Sequence, residues 1–156
     1  MQQIENFNII GIETQTSNES GKAAVDLGKL WEQFYVENIP SKIPNKTSEE
    51  VYSIYTDYES DYTGKYTCII GLKVDSIDTI PEGLVGRNFK GGSYQKFVAK
   101  GQMPHAVLES WQEIWKLDKE LNRKYTADFE VYGVKAQKGD DSEVEIYIEI
   151  TPSKII

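Results

Sequence analysis

Close to the C-terminus, acids and phenols alternate with apolar side chains. One run reads Phe129-Glu130-Val131-Tyr132 and the next reads Val144-Glu145-Ile146-Tyr147-Ile148. Two carboxylates set among phenols have two chemical uses. They can hold a positively charged guest, because aromatic faces attract cations and carboxylates neutralise them. Alternatively, a carboxylate beside a phenol can work as base and acid on a small substrate. A strand turns alternate side chains to opposite faces. Val144, Ile146, Ile148 and Ile150 then face a helix-covered core, and Glu145, Tyr147 and Glu149 turn away from it. If the two runs pair as a hairpin, Glu130, Tyr132, Glu145 and Tyr147 share one face. The same alternation also fits the solvated side of an antiparallel sheet.

Other chemistries are poorly supplied. His105 is the single histidine and Cys68 the single cysteine. A histidine-based triad, a multi-histidine or cysteine metal site and an internal disulfide are therefore excluded. Cys68 lies in an apolar run and reads as a small core residue. Gly83, Gly86, Gly91 and Gly92 match neither a phosphate loop nor a dinucleotide fingerprint, so they read as turns. No catalytic residue, metal or cofactor is assigned.

The elements that must position these groups repeat. A Trp-centred helical pattern (Leu27, Leu30, Trp31, Phe34) follows a strand at 7–13 and ends by Pro40. Strands at 51–58 and 66–74 come next, with a hairpin turn between them. Ile80-Pro81-Glu82-Gly83 joins the halves. A strand at 93–100 then precedes a second helix, opened at Pro104 and carrying Val107, Leu108, Trp111, Ile114 and Trp115 on one stripe. Strands at 127–134 and 143–150 close the chain. Strand–helix–strand–strand, twice, predicts an antiparallel α+β domain with two main helices on one sheet face. The repeats span about 6–76 and 84–152 of one domain, 1–156, and the seam between them is a natural place for a pocket. The three Trp side chains read first as core packing.

The 156 residues carry a net charge of −8, with 10 Tyr and 3 Trp. Excess negative charge opposes direct contact with phosphate backbones. Aromatic rings with surplus carboxylate suit an apolar cation. No apolar run approaches a membrane span and no secretory leader is visible, so a cytoplasmic location is expected.

Several segments resemble one family. Ile80-Pro81-Glu82-Gly83, then Gly91-Gly92-Ser93-Tyr94-Gln95-Lys96-Phe97-Val98-Ala99-Lys100-Gly101, resembles the stretch before the second helix of GyrI-like domains, also called AraC-type effector-binding domains. Trp111-Gln112-Glu113-Ile114-Trp115 is similar to that family's Trp-centred helix. Phe129-Glu130-Val131-Tyr132 and Val144-Glu145-Ile146-Tyr147-Ile148-Glu149-Ile150 are similar to its last two strands. The resemblance implies a duplicated β-α-β-β unit with a curved antiparallel sheet. It also implies a cleft between the repeats that takes small organic molecules, often lipophilic cations. By position, Glu130 and Glu145 would be its acids, Tyr132 and Tyr147 its walls, and Trp111 a further contact. Glu149 departs from the family's usual proline. Many relatives carry a DNA-binding domain ahead of this one, whereas this chain begins in the ligand domain. It is therefore expected as a stand-alone, transcription-regulator-type, multidrug-binding module without direct nucleic-acid or membrane contact, its protein partner unknown. Two alternatives stand beside it: a hydrolase with Glu145 as base and Tyr132 or Tyr147 as acid, and a gyrase-inhibitor-like interaction module.

Overall fold

The fold comes from a computed structural model that describes residues 1–152; the last four positions of the expected 1–156 domain lie outside the described residues. The strands are β1 (Gln2–Ile4), β2 (Phe7–Ser17), β3 (Lys46–Thr56), β4 (Lys65–Val74), β5 (Val85–Phe89), β6 (Gly92–Lys100), β7 (Ala127–Tyr132) and β8 (Glu143–Glu149). The main helices are α1 (Lys22–Val36) and α3 (His105–Lys116), each trailed by a single turn, α2 (Ile39–Lys42) and α4 (Asp118–Leu121).

All eight strands form one antiparallel sheet, ordered β1-β6-β8-β7-β3-β4-β2-β5. The two halves mirror one another in it. β3-β4-β2 lies on one side of the centre and β7-β8-β6 on the other, so β3 and β7 meet at the seam, as the repeat predicts. Three strands differ from the sequence expectation. β1, which pairs with β6, has no counterpart in it, β3 begins at Lys46, ahead of 51, and the glycine-rich stretch read as turns contains β5, which pairs with β2. These are edge or rim pairings that depend on a distant partner and leave little periodic signal.

α1 packs on β2 and β4, with Leu30 and Phe34 buried over Ile10, Ile12, Cys68 and Ile70. It stops where Asn38 turns left-handed (φ 50°), a conformation asparagine tolerates better than most residues. α3 packs on β6, and its Val107 and Ile114 cover Val144, Ile146 and Ile148. Both helices occupy the same sheet face. Among the described residues, no helix is long and apolar enough to cross a membrane.

The opposite face is also buried, because the sheet curls into a half-barrel. Phe7, Tyr52, Ile54, Ile69, Phe89, Tyr94 and Phe129 pack inside the curl. Glycines permit a close approach of its strands. Gly11 faces Gly71 across β2 and β4, and a Cβ on either would collide with the carbonyl of Ile70 or Ile10.

Candidate functional site

Pairing register decides which acids meet. In β7 and β8, Phe129 pairs with Tyr147, Glu130 with Ile146 and Val131 with Glu145. Directly paired residues point to the same side. Glu130 and Tyr132 therefore join Val144 and Ile146 on the helix face, while Glu145 and Tyr147 join Phe129 and Val131 inside the curl. The expected single face of four polar side chains is corrected to two faces of two. The cause is parity: a register shifted by one residue exchanges the faces, and alternation within each strand cannot reveal it.

Glu130 sits at the seam with 1% of its surface exposed. Trp111 Nε1 donates to its Oε2 at 2.6 Å and Tyr55 OH to the same oxygen at 2.9 Å. Tyr132 OH donates to Oε1 at 2.6 Å. The donors come from three elements: Trp111 from α3, Tyr55 from β3 and Tyr132 from β7 itself. Ser53 Oγ donates to Tyr55 OH at 3.2 Å from beneath. Cys68, under Ser53, is held as a neutral thiol, its pKa pushed up to about 12 chiefly by burial.

Two tryptophans reach this cluster from opposite sides. Trp31 of α1 meets Tyr132 edge-to-face, with centroids 4.9 Å apart, and Trp111 of α3 meets Tyr55 at 5.4 Å. Each helix thus touches the tyrosine of the other half's central strand. Trp31, Tyr55, Trp111 and Tyr132 all keep part of their surface in solvent. The result is an aromatic cluster between α1 and α3, closed over one buried carboxylate. Trp111 and Tyr132 stand here as expected. Trp31 and Tyr55 are added; the repeat was the available signal, because Trp31 is the counterpart of Trp111.

The electrostatics of Glu130 are unusual. Among the described residues, no Lys, Arg or His approaches its carboxylate within 4.0 Å. Its hydrogen-bond donors are all neutral. Burial lifts the carboxyl above the usual glutamate range, and the bonds from Tyr132, Trp111 and Tyr55 only partly oppose this. The tyrosines are also raised by burial, with the Glu130 charge adding to it, so they remain donors.

Glu145 is differently placed. Lys96 Nζ lies 2.6 Å from its Oε2, and both side chains are about a third exposed, at 33% and 39%. Tyr147 OH donates to Glu145 at 3.3 Å, and its ring stacks on Phe129 at 4.9 Å. The sheet separates Glu145 from Tyr132, which removes their pairing as base and acid. Glu149, also expected to point away from the helices, is buried beside Tyr94, and its amide donates to Asp128. His105 is a surface residue, 2.8 Å from Glu109. No group of three or more His, Cys, Asp or Glu among the described residues is arranged to hold a metal.

Comparison with known proteins agrees with this architecture. An integron cassette protein from Vibrio cholerae has a crystal structure matching at a TM-score of 0.75 with 33% identity, over 96% of this chain and 94% of that one. The protein SAV2435, whose structure holds tetraphenylphosphonium, matches at 0.79 with 21% identity, over 96% and 92%. The transcriptional regulator BrlR of Pseudomonas aeruginosa is 31% identical over 153 residues, covering 92% of this chain and 52% of BrlR, so the chain spans about half of that relative. The model of the integron-associated effector binding proteins, Cass2, matches residues 1–150, and the chain belongs to this GyrI-like effector-binding family.

Proposed function

We propose that the effector of this domain is a lipophilic cation, held between α1 and α3 with its charge over Glu130. The observation that carries the reading is a buried carboxylate supplied with neutral donors and no cation. A buried charge is costly without a partner. A guest that brings the missing positive charge removes that cost. Opposite charges about 4 Å apart attract by about 4 kcal/mol at an effective dielectric near 20.

Guest chemistry follows from the walls. A small, strongly hydrated cation would lose its water for only one carboxylate. A cation coated with apolar groups has little water to lose and gains contact with the edges and faces of Trp31, Trp111 and Tyr132. Because the directional groups are few, many shapes of such cation can fit, which supports multidrug binding. Tetraphenylphosphonium, carried by SAV2435 in the same fold, is the natural probe. Trp111, Glu130 and Tyr132 contact it, and the partly buried rings move aside to admit it.

The kinship with BrlR supports a place in transcriptional control, with the effector read here and DNA contacted by other polypeptide, since a net charge of −8 opposes direct binding. The test is calorimetry with tetraphenylphosphonium and with tetraphenylborate, which has the same shape and the opposite charge. The phosphonium is expected to bind and the borate to fail. Equal binding of the two ions sinks the reading.

A further inference from the structure

The curl of the sheet holds a cavity of about 240 Å³, on the face away from both helices. Residues of β1, β2, β3, β4, β7 and β8 line it, and the β-sheet itself separates it from Glu130. Its floor is apolar: Phe129 stacked with Tyr147, flanked by Val131 and Phe7. Its rim carries charge of both signs, from Lys73, Glu50 and Glu145.

These charges are not equivalent. Glu145 is already compensated by Lys96 at 2.6 Å. Lys73 is held over two rings, its Nζ 5.4 Å from the centroid of Phe7 and 5.6 Å from that of Tyr52. Among the described residues, no carboxylate lies within 4.0 Å of Lys73 and no cation within 4.0 Å of Glu50. A register shift in β3 between Lys46 and Val51 interrupts its pairing with β4 at this point. Such irregularities re-aim side chains. Glu50 and Lys73 end on the same cavity without joining.

The geometry points to a second binding site here, for a small zwitterion with a flat apolar body, the chemistry of an aromatic amino acid. Its carboxylate meets Lys73, its ammonium meets Glu50, and its ring lies on Phe129 and Tyr147. The phenols add donors: burial and the nearby Glu50 charge push Tyr52 up to about 12, so it stays protonated. The volume is below the roughly 300–1,000 Å³ of sites for drug-sized ligands, which limits the guest to one ring or one fused ring system. The site is distinct from the proposed cation site in face and charge, and it stands whether or not a cation binds there.

The test uses L-tryptophan, tryptamine, which lacks the carboxylate, and indole-3-propionate, which lacks the amine. Binding is read by calorimetry and by amide shifts of Tyr52, Lys73 and Tyr147 in the intact chain. Tryptophan is expected to bind more tightly than either analogue. Lys73→Met should weaken tryptophan and indole-3-propionate by roughly tenfold and leave tryptamine unchanged, the size of one lost charge-assisted bond. Glu50→Gln should do the reverse, weakening tryptophan and tryptamine only. Lys73→Gln repeats the first arm with a polar side chain. Glu130→Gln, across the sheet, should leave tryptophan and indole-3-propionate unchanged, while tryptamine, itself an aromatic cation, is read at this site by the amide shifts alone. Absence of saturable binding in the millimolar range overturns the proposal. So does tryptophan binding that survives both rim substitutions, or that is lost in Glu130→Gln, which would put the molecule at the helix-side site.

Discussion

Asp128 and Glu130 lie two residues apart on β7, on the same face and equally dry, with 0% and 1% of their surface exposed. Asp128 is paired. Arg123 Nη2 reaches its Oδ2 at 2.7 Å, Tyr58 OH reaches the same atom at 2.6 Å, and the Glu149 amide reaches Oδ1 at 2.8 Å. Burial raises its pKa, and the Arg123 charge leads the forces that oppose this. Glu130 has as many hydrogen bonds and no cation. Hydrogen bonding alone is therefore not what separates them. One acid has its counter-charge within the fold; the other has neutral donors alone, and in the proposed reading its partner is the guest. The arginine accounts for the difference: on Arg123, burial works against the charge, yet Asp128 and Tyr58 hold its guanidinium above its ordinary value.

The largest effect should come from breaking the finished pair. Asp128→Ala leaves Arg123 buried without its carboxylate and is expected to cost about 3–5 kcal/mol of stability, read by urea denaturation. Glu130→Gln, by contrast, should leave stability unchanged or improved, because it deletes an uncompensated buried charge. It should weaken tetraphenylphosphonium by about 2–4 kcal/mol, roughly 30- to 1,000-fold. A variant that unfolds instead would make Glu130 structural, like Asp128.

Acidity gives the next contrast. A folded-state pKa above the unfolded one favours the neutral acid, so the fold loses stability as pH rises from the ordinary glutamate range through the raised value. Glu130→Gln should reduce that loss by Glu130's share, while Asp128 and Glu149, also raised by burial, keep theirs. Over the same window the affinity for the cation should rise with pH, because the guest needs the ionised form. Calorimetry across the window would show a flat profile if Glu130 took no part. The smallest effects belong to single donors. Tyr55→Phe and Tyr132→Phe each remove one bond to the carboxylate, and each should change phosphonium affinity by about 1–3 kcal/mol or less. Similar values for the two would follow from their matched positions across the seam.

Much of this fold is legible in the chain. Apolar stripes through Leu30 and Phe34, and through Val107, Trp111 and Ile114, mark the helices, and the repeat of Trp31 at Trp111 marks the halves. Glu130 and Tyr132 could be named from the alternation of their strand, and Trp111, which its stripe marks as core, from the family resemblance. The arrangement around them could not. Whether Glu130 faces Ile146 or Glu145 depends on a one-residue register between strands, to which alternation is blind. Arg123 and Tyr58 reach Asp128 from the approach to β7 and from the far hairpin, with no sequence spacing to announce them. Lys73 gave no signal either, because its role depends on the curl that brings Phe7 and Tyr52 beneath it.

The central claim, that Glu130 is a charge awaiting a cationic partner, is most directly tested by carboxyl-carbon NMR of Glu130 titrated with and without tetraphenylphosphonium. The free protein should show a pKa above the ordinary glutamate value, and the bound form should fall by about one unit or more. A titration that is the same in both states, or one already ordinary in the free protein, would contradict it.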